Sequence, residues 1–393
     1  MQIDFPVKAG DKWLRQCVGV DISKDKFTAC VFLYDIASDM GCQSKTEEFP
    51  NNRTGFNQFI KWSRKEAYNG CDLTYLMEPT GVYYEALAYH LHKIKQTVYV
   101  VLPNKAREFC KYEGIKTKTD EMDARCLALL GCTNRRLTPW TPPKAIYREL
   151  RQMTRFNEDA QKIRTEISNH LEALYNSEQP EKTVVKYYEK LLADIDKQLG
   201  KNEKKILAKV ATDTELKKKV DRLDSIKGIG KITIVTILAE TNGFALIKNR
   251  KQLASYAGLD VVAKQSGKED PKHTISKKGN AHIRRALYMP GMSAARFNAQ
   301  QKELYTRVCS RNPNARMKGV VASMRKLLLL VYTLWTNGEY YDPTRTATST
   351  PRKKMDDYQE YSNSLNEEEI EKLRRANDSS NLSGDYDPNK PPL

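Results

Sequence analysis

The chain has 393 residues, 40% of them hydrophobic, and its 66 Lys and Arg exceed its 49 Asp and Glu to give a formal charge of +17. That length suits two or three domains with buried cores and excludes a wholly disordered chain. Residues 341–393 carry 8 basic and 11 acidic side chains, so the basic excess lies in the first 340 residues. It suits a polyanionic partner, nucleic acid by default.

In chain order, "CVGVDI" and "KFTACVFLY" are expected as β-strands around the turn "SKDK", "GFNQFIKWSRKEA" as a helix and "LTYLME" as a strand. "YYEALAYHLHKI" is then a helix, "TVYVVL" a strand and "DEMDARCLALL" a helix. This alternation predicts an α/β domain over 13–140, closed by the proline-rich "LTPWTPPK". Over 144–222, Ile146, Leu150, Met153, Ala160, Ile167, Leu171 and Leu174 fall near three- and four-residue steps, and Val185, Tyr188, Leu192, Ile195 and Leu199 resume the seam. The pattern predicts a helical hairpin or coiled coil, packed on its own domain or serving to dimerise.

Residues 223–340 form a mostly helical domain opening on "LDSIKGIGKITIVTILAE". Gly228 and Gly230 there resemble the turn of a helix-hairpin-helix element, in which backbone N–H groups approach a phosphate. Residues 341–393 are polar and expected to be disordered, apart from a short helix in "NEEEIEKLRRA". The eight cysteines include no C-x-x-C pair and are expected as reduced, mostly buried thiols of a cytoplasmic protein. The most apolar run, "VVASMRKLLLLVYTLW", is interrupted by Arg325 and Lys326 and reads as too short for a membrane span.

The acidic residues carry the chemistry. Asp120 and Asp123 in "KTDEMDA" are three apart and share a helical face. A helix cap and a first-turn charge are the simpler account of such a pair. Asp21 and Glu78, however, each end an apolar strand, at the rim of a sheet where α/β folds build sites. Four carboxylates from three segments suit one or two Mg²⁺ ions, with Mn²⁺ as substitute, since all the ligands are hard oxygens. Two such metals serve phosphoryl transfer. Lys116, Lys118 and Arg125 flank the acids and are candidates to hold a nucleic-acid backbone. Lys277, Lys278, Arg284 and Arg285 in "ISKKGNAHIRRAL" are a second basic group suited to phosphates.

"GVDISKDKF", "MEPTGVYY" and "KTKTDEMDA" resemble, in order and spacing, the Asp, Glu, Asp, Asp signature of the Piv/MooV-type transposases, insertion-sequence family one hundred and ten. "SIKGIGKITIVTILAE", "RKQLASYAGLDVVAKQSGK" and "ISKKGNAHIRRALY" resemble the C-terminal half of the same family. The resemblance implies a RuvC-like (RNase H-like) N-terminal domain and a C-terminal transposase domain. It also implies an RNA-guided recombinase: a structured bridge RNA pairs with donor and target DNA, and a serine forms a covalent link to DNA.

Ser266 in "AKQSGK" is the matching serine; among its neighbours, Ser255 and Ser276 read as cap or loop residues. The resemblance further implies sites completed between protomers, hence a dimer or a dimer of dimers, associated with the nucleoid during reaction. Two rivals remain at this level: a Holliday-junction-resolvase-like metal nuclease that uses water, and a non-enzymatic nucleic-acid-binding scaffold.

Overall fold

The computed structural model describes residues 14–79, 81–115, 119–245, 247–264 and 272–344. The expected disordered tail beyond Thr344 lies outside the described residues. The chain divides into two compact units, 1–142 and 143–393.

The first unit opens with a hairpin, β1 (Leu14–Ile22) and β2 (Lys26–Asp35), paired antiparallel with Val20 opposite Ala29 and Asp21 opposite Thr28. β3 (Met40–Gln43) and β4 (Glu47–Pro50) then pair in succession along the outer edge of β2. Between them, Ser44 exchanges hydrogen bonds with the backbone of Val31. Helix α1 (Arg53–Glu66), capped by Asn52, leads to β5 (Leu73–Met77), which lies parallel to β1 with Val20 opposite Met77. α2 (Glu85–Lys93) leads to β6 (Thr97–Val100), parallel to β5. α3 (Pro103–Tyr112) and α4 (Asp120–Thr133) complete a mixed α/β unit with strand order β3-β2-β1-β5-β6.

Strand alternation divides the core. Val18, Val20, Ile22, Tyr75 and Met77 face a cluster with Phe27, Phe49, Phe56 and Phe59. Cys17 and Leu76 point to the opposite side and pack with Leu127, Leu130 and Ala106 of α4 and α3.

Contact between α4 and β1 is backbone against backbone. A Cβ at Gly19 would stand 2.1 Å from the Ala124 carbonyl oxygen and 2.2 Å from the Ala128 nitrogen. One at Gly131 would stand 2.2 Å from Cys17 Sγ. Glycine is therefore required at 19 for steric reasons, and α4 runs antiparallel to β1. α3 and α4 are joined by a disulfide between Cys110 and Cys126, whose Cα atoms are 6.0 Å apart. This corrects the expectation that every thiol is reduced: the pair is sixteen residues apart in sequence and is brought together by helix packing. Six cysteines remain free, and burial pushes the Cys17 thiol to about 12 and Cys30 to about 11, which leaves both unreactive.

The second unit begins with two long antiparallel helices, α5 (Ala145–Tyr175) and α6 (Lys182–Ala211). Polar residues that interrupt their apolar seam are paired across it. The Arg164 guanidinium donates to Asp196, at 2.5 Å through Nε, and Asn202 donates to Asn157 at 2.6 Å and to the Met153 carbonyl at 2.9 Å. α7 (Thr214–Leu223) and α8 (Lys231–Glu240) follow, then α9 (Arg250–Tyr256) and the hairpin β7 (Val261–Lys264) and β8 (Lys272–Ile275). α10 (Ala281–Phe297), α11 (Ala299–Ser310) and α12 (Met317–Asn337) close the unit. Tyr147, Leu150, Ile206 and Val210, near the open end of the long hairpin, share one core with α7 to α12. α12 is long and apolar enough to cross a membrane by composition, a correction to its reading as too short. Its Val320, Met324, Leu327, Leu328 and Val331 are nevertheless buried in this core.

Replacing Gly19 with valine is expected to push α4 from the sheet and cost roughly 1–3 kcal/mol or more, the range for overpacked cores. A lowered urea midpoint reads this; an unchanged midpoint would show that the close approach is absent.

Candidate active site

The first unit brings all four candidate carboxylates to one end of its sheet. Asp21 follows Val20, which is paired with Met77, and Glu78 directly follows Met77. The two acids thus occupy the same register position on neighbouring parallel strands, whose axes lie roughly 4.8 Å apart. By alternation Asp21 lies on the face of Cys17 and Gly19, and Glu78 on the face of Leu76, the face that α4 covers.

Because α4 is antiparallel to β1 and its residues 124–128 lie over Gly19, its first turn reaches the level of Asp21. Thr119, not Asp120, is the N-cap, its hydroxyl accepting from the Met122 N–H at 3.2 Å. Capping therefore does not account for Asp120. The Lys26 ammonium pKa is raised chiefly by its hydrogen bond to Glu48 and in smaller part by the Asp120 charge, which brings the β1–β2 turn near the start of α4.

Beside Asp120 is an open cleft of about 650 Å³, lined by Thr28, Thr46, Glu47, Glu48, Thr119, Asp120 and Glu121. Among the described residues, no three Asp, Glu, His or Cys side chains are gathered closely enough to hold a metal ion. Backbone placement and donor chemistry nonetheless fit a divalent cation: hard oxygen donors from β1, from the residue after β5 and from the first turn of α4 share one face and one end of the sheet.

Lys116 and Lys118 lie outside the described residues. Arg125 is partly buried, with an enclosed Nε that has no hydrogen-bond partner among the described residues. It lies close enough to Cys30 to act on that thiol electrostatically.

In the second unit, Ser266 falls in the segment 265–271 between β7 and β8, outside the described residues. The base of that hairpin is closed by hydrogen bonds. Ser276 donates its N–H to the Asp260 carbonyl at 2.9 Å and its hydroxyl to the Asp260 carboxylate. The Asn280 N–H donates to Tyr256 O at 2.7 Å, and the Asn280 amide donates to Glu240 at 2.7 Å while capping α10.

Lys277 and Lys278 are exposed. Arg284 donates to the carbonyls of Ala257 (2.9 Å) and Gly279 (3.0 Å), and Arg285 pairs with Glu158. Both arginines are therefore engaged within the chain. Gly228, with φ +99°, approaches the Ala294 backbone of α10, where an added Cβ would stand 2.6 Å from the Ala294 Cα. Gly230 caps α8 and faces open space.

Two carboxylates that sequence reasoning missed lie beneath this basic segment. Glu240, at the end of α8, has a side chain only 1% exposed and accepts twice from Arg155, at 2.7 and 3.0 Å. Glu158 accepts from His282 (2.5 Å), from Arg285 and from Lys162 (3.1 Å). Burial pushes the Glu158 pKa up, but these partners outweigh it and hold the group down at about 2. One available signal was the charge of Glu240 closing a helix that, after Lys231, is apolar apart from two threonines. The i, i+4, i+7 spacing of Arg151, Arg155 and Glu158 along α5 was another.

Residues 18–180 match the profile of the DEDD transposases of the IS110 type, and residues 220–306 match that of the transposase IS116/IS110/IS902 family. The chain is also similar to the pilin gene-inverting proteins of Moraxella bovis and Moraxella lacunata. Each is 27% identical over 334 residues, covering 83% of this chain and 97% of the relative. The chain belongs to the IS110-type transposases, enzymes that act on DNA.

Removing the Arg155 guanidinium by Arg155→Met leaves Glu240 buried without its ionic partner. A loss of about 3 kcal/mol in urea unfolding is expected, near the low end for a broken buried pair because Arg155 is itself partly exposed. For Glu158 the folded pKa lies below the ordinary 4.5, so its contribution is complete above pH 4.5 and is lost as pH falls toward about 2. Glu158→Gln is expected to flatten the fall in unfolding free energy across that window; an unchanged slope contradicts the assignment.

Proposed function

We propose that this transposase is a cytoplasmic, RNA-guided DNA recombinase in which Ser266 becomes covalently linked to DNA and Asp21, Glu78, Asp120 and Asp123 hold Mg²⁺. The observation that carries the metal part is the shared register of Asp21 and Glu78 under the first turn of α4. When bound, Mg²⁺ neutralises phosphate charge and polarises oxygens at the scissile phosphodiester.

Within the chain, the four carboxylates position the cation. The Ser266 hydroxyl attacks phosphorus, one phosphorus–deoxyribose oxygen bond breaks, and the proton lost by the serine ends on the departing sugar oxygen. Phosphoserine ester formation conserves the bond energy, so a sugar hydroxyl of another strand reverses the attack and rejoins DNA without ATP. Nothing in "AKQSGK" supplies an adjacent histidine as base, which is consistent with assistance from a cation.

Donor and target DNA and a structured bridge RNA are the partners, and guided pairing assigns target choice to the RNA. Lys277 and Lys278 are the exposed members of the basic segment beside the β7–β8 hairpin and contact phosphates. The open N-terminus of α8 at Gly230 serves the same end through backbone N–H groups. Oligomerisation uses the long hairpin, where Phe156, Ile163, Tyr187 and Leu191 are exposed. The pilin gene-inverting relatives, whose names describe a DNA rearrangement, support recombination over simple cleavage.

The test is a denaturing gel of the protein with guide RNA, labelled DNA and Mg²⁺. A protein–DNA adduct is expected, absent in Ser266→Ala and reduced at least 100-fold in Asp120→Asn, in keeping with the loss of one essential group. Strand exchange by Ser266→Ala at the native rate excludes the serine mechanism and favours a water-using nuclease.

A further inference from the structure

Asn51 is the residue that ties together the loops following the first two carboxylates. It lies between β4 and α1, outside every motif read from the sequence. Its side-chain amide donates to the carbonyls of Ser23 (2.9 Å) and Lys24 (3.4 Å) in the turn after Asp21. The same nitrogen donates to the Tyr83 carbonyl at 3.2 Å, in the loop after Glu78. The Asn51 backbone N–H adds a bond to the Asp25 carbonyl at 2.8 Å.

Neighbouring Asn52 performs a separate task, accepting from the Gly55 N–H at 3.0 Å as the cap of α1. The Asn51 amide oxygen is enclosed and has no hydrogen-bond partner among the described residues. What orients the amide is therefore its nitrogen. Among the described residues the NH₂ group bridges two loops of different strands while the enclosed oxygen is left unsatisfied, an uncommon arrangement for a half-buried amide.

Pairing between β1 and β5 ends at Val20 and Met77, one residue before Asp21 and Glu78. Asn51 supplies a cross-link just past them.

We propose that Asn51 is a positioning residue for the metal site, which holds Asp21 and Glu78 at the spacing that one divalent cation requires. It touches neither cation nor DNA, and it acts through the two loops. The inference rests on the reading of the four carboxylates as metal ligands. Loss of an outer-shell partner that orients ligands typically weakens metal affinity about 10- to 100-fold.

The experiment is Mn²⁺ titration of the full chain by isothermal calorimetry, with melting curves recorded in EDTA. Asn51→Ala is expected to raise the Mn²⁺ dissociation constant at least about 10-fold, with a metal-free melting curve close to native. Asn51→Asp, equal in shape but without the donor, is expected to show the same loss and covers the case in which the alanine variant folds poorly. Asn51→Ser, which restores one donor, is expected to recover part of the affinity. Native Mn²⁺ affinity in Asn51→Ala and Asn51→Asp, with affinity lost in Asp21→Asn, overturns the role of Asn51 and leaves the carboxylate site standing. A lowered melting point with unchanged affinity likewise overturns it, reducing Asn51 to a structural residue. Native affinity in Asp21→Asn and Glu78→Gln overturns the carboxylate reading itself.

Discussion

The close approach of α4 to β1 at Gly19 is the constraint on which the first unit depends. With no side chain at 19, the helix backbone rests on the strand, and Ala124 and Ala128 present little bulk in return. Any larger residue at 19 would lift the helix and carry Asp120 and Asp123 away from the level of Asp21. The sheet contributes the other half, since parallel pairing of β1 with β5 puts Asp21 and Glu78 at one register position. Carboxylates separated by about a hundred residues thus share one end of the sheet through strand register and one glycine.

Mutual repulsion among such acids opposes the arrangement. Several features of the fold reduce the cost. The first-turn position of Asp120 and Asp123 sets their charge against the positive end of the helix dipole. Lys26, which opens β2, lies within electrostatic reach of Asp120. The second unit handles buried charge differently, by explicit pairing: Glu240 with Arg155 and Asn280, and Glu158 with His282, Arg285 and Lys162. These pairs join α5 to the segment that follows β8, so the base of the Ser266 hairpin and the long helices form one polar framework.

Much of the first unit was legible from sequence because its central strands are long and apolar and its helices are amphipathic. β3 and β4 were not, since "MGCQ" and "EEFP" are four-residue edge strands with too little alternation to register. α3 escaped for a related reason: it buries only Ala106 and opens on a proline, which reads as a loop. The β7–β8 hairpin was not legible because its strands are short and flank a charged, glycine-containing stretch.

The placement of Asp21, Glu78, Asp120 and Asp123 at strand and helix ends was legible from sequence. The disulfide, the Asn51 bridge and the Glu158 and Glu240 pairs were not, because each joins residues whose nearness is created only by packing. Arg284 and Arg285 illustrate the same limit: a basic run in sequence cannot reveal that both guanidinium groups find partners within the fold.

The most direct test of the account is the location of bound Mn²⁺ by anomalous scattering in crystals of the full chain. The account predicts a peak about 2.1 Å from oxygens of Asp21, Glu78 and at least one of Asp120 and Asp123. A peak seated instead among Glu47, Glu48 and Glu121 in the neighbouring cleft, or no peak near Asp21 and Glu78 at saturating Mn²⁺, would contradict it.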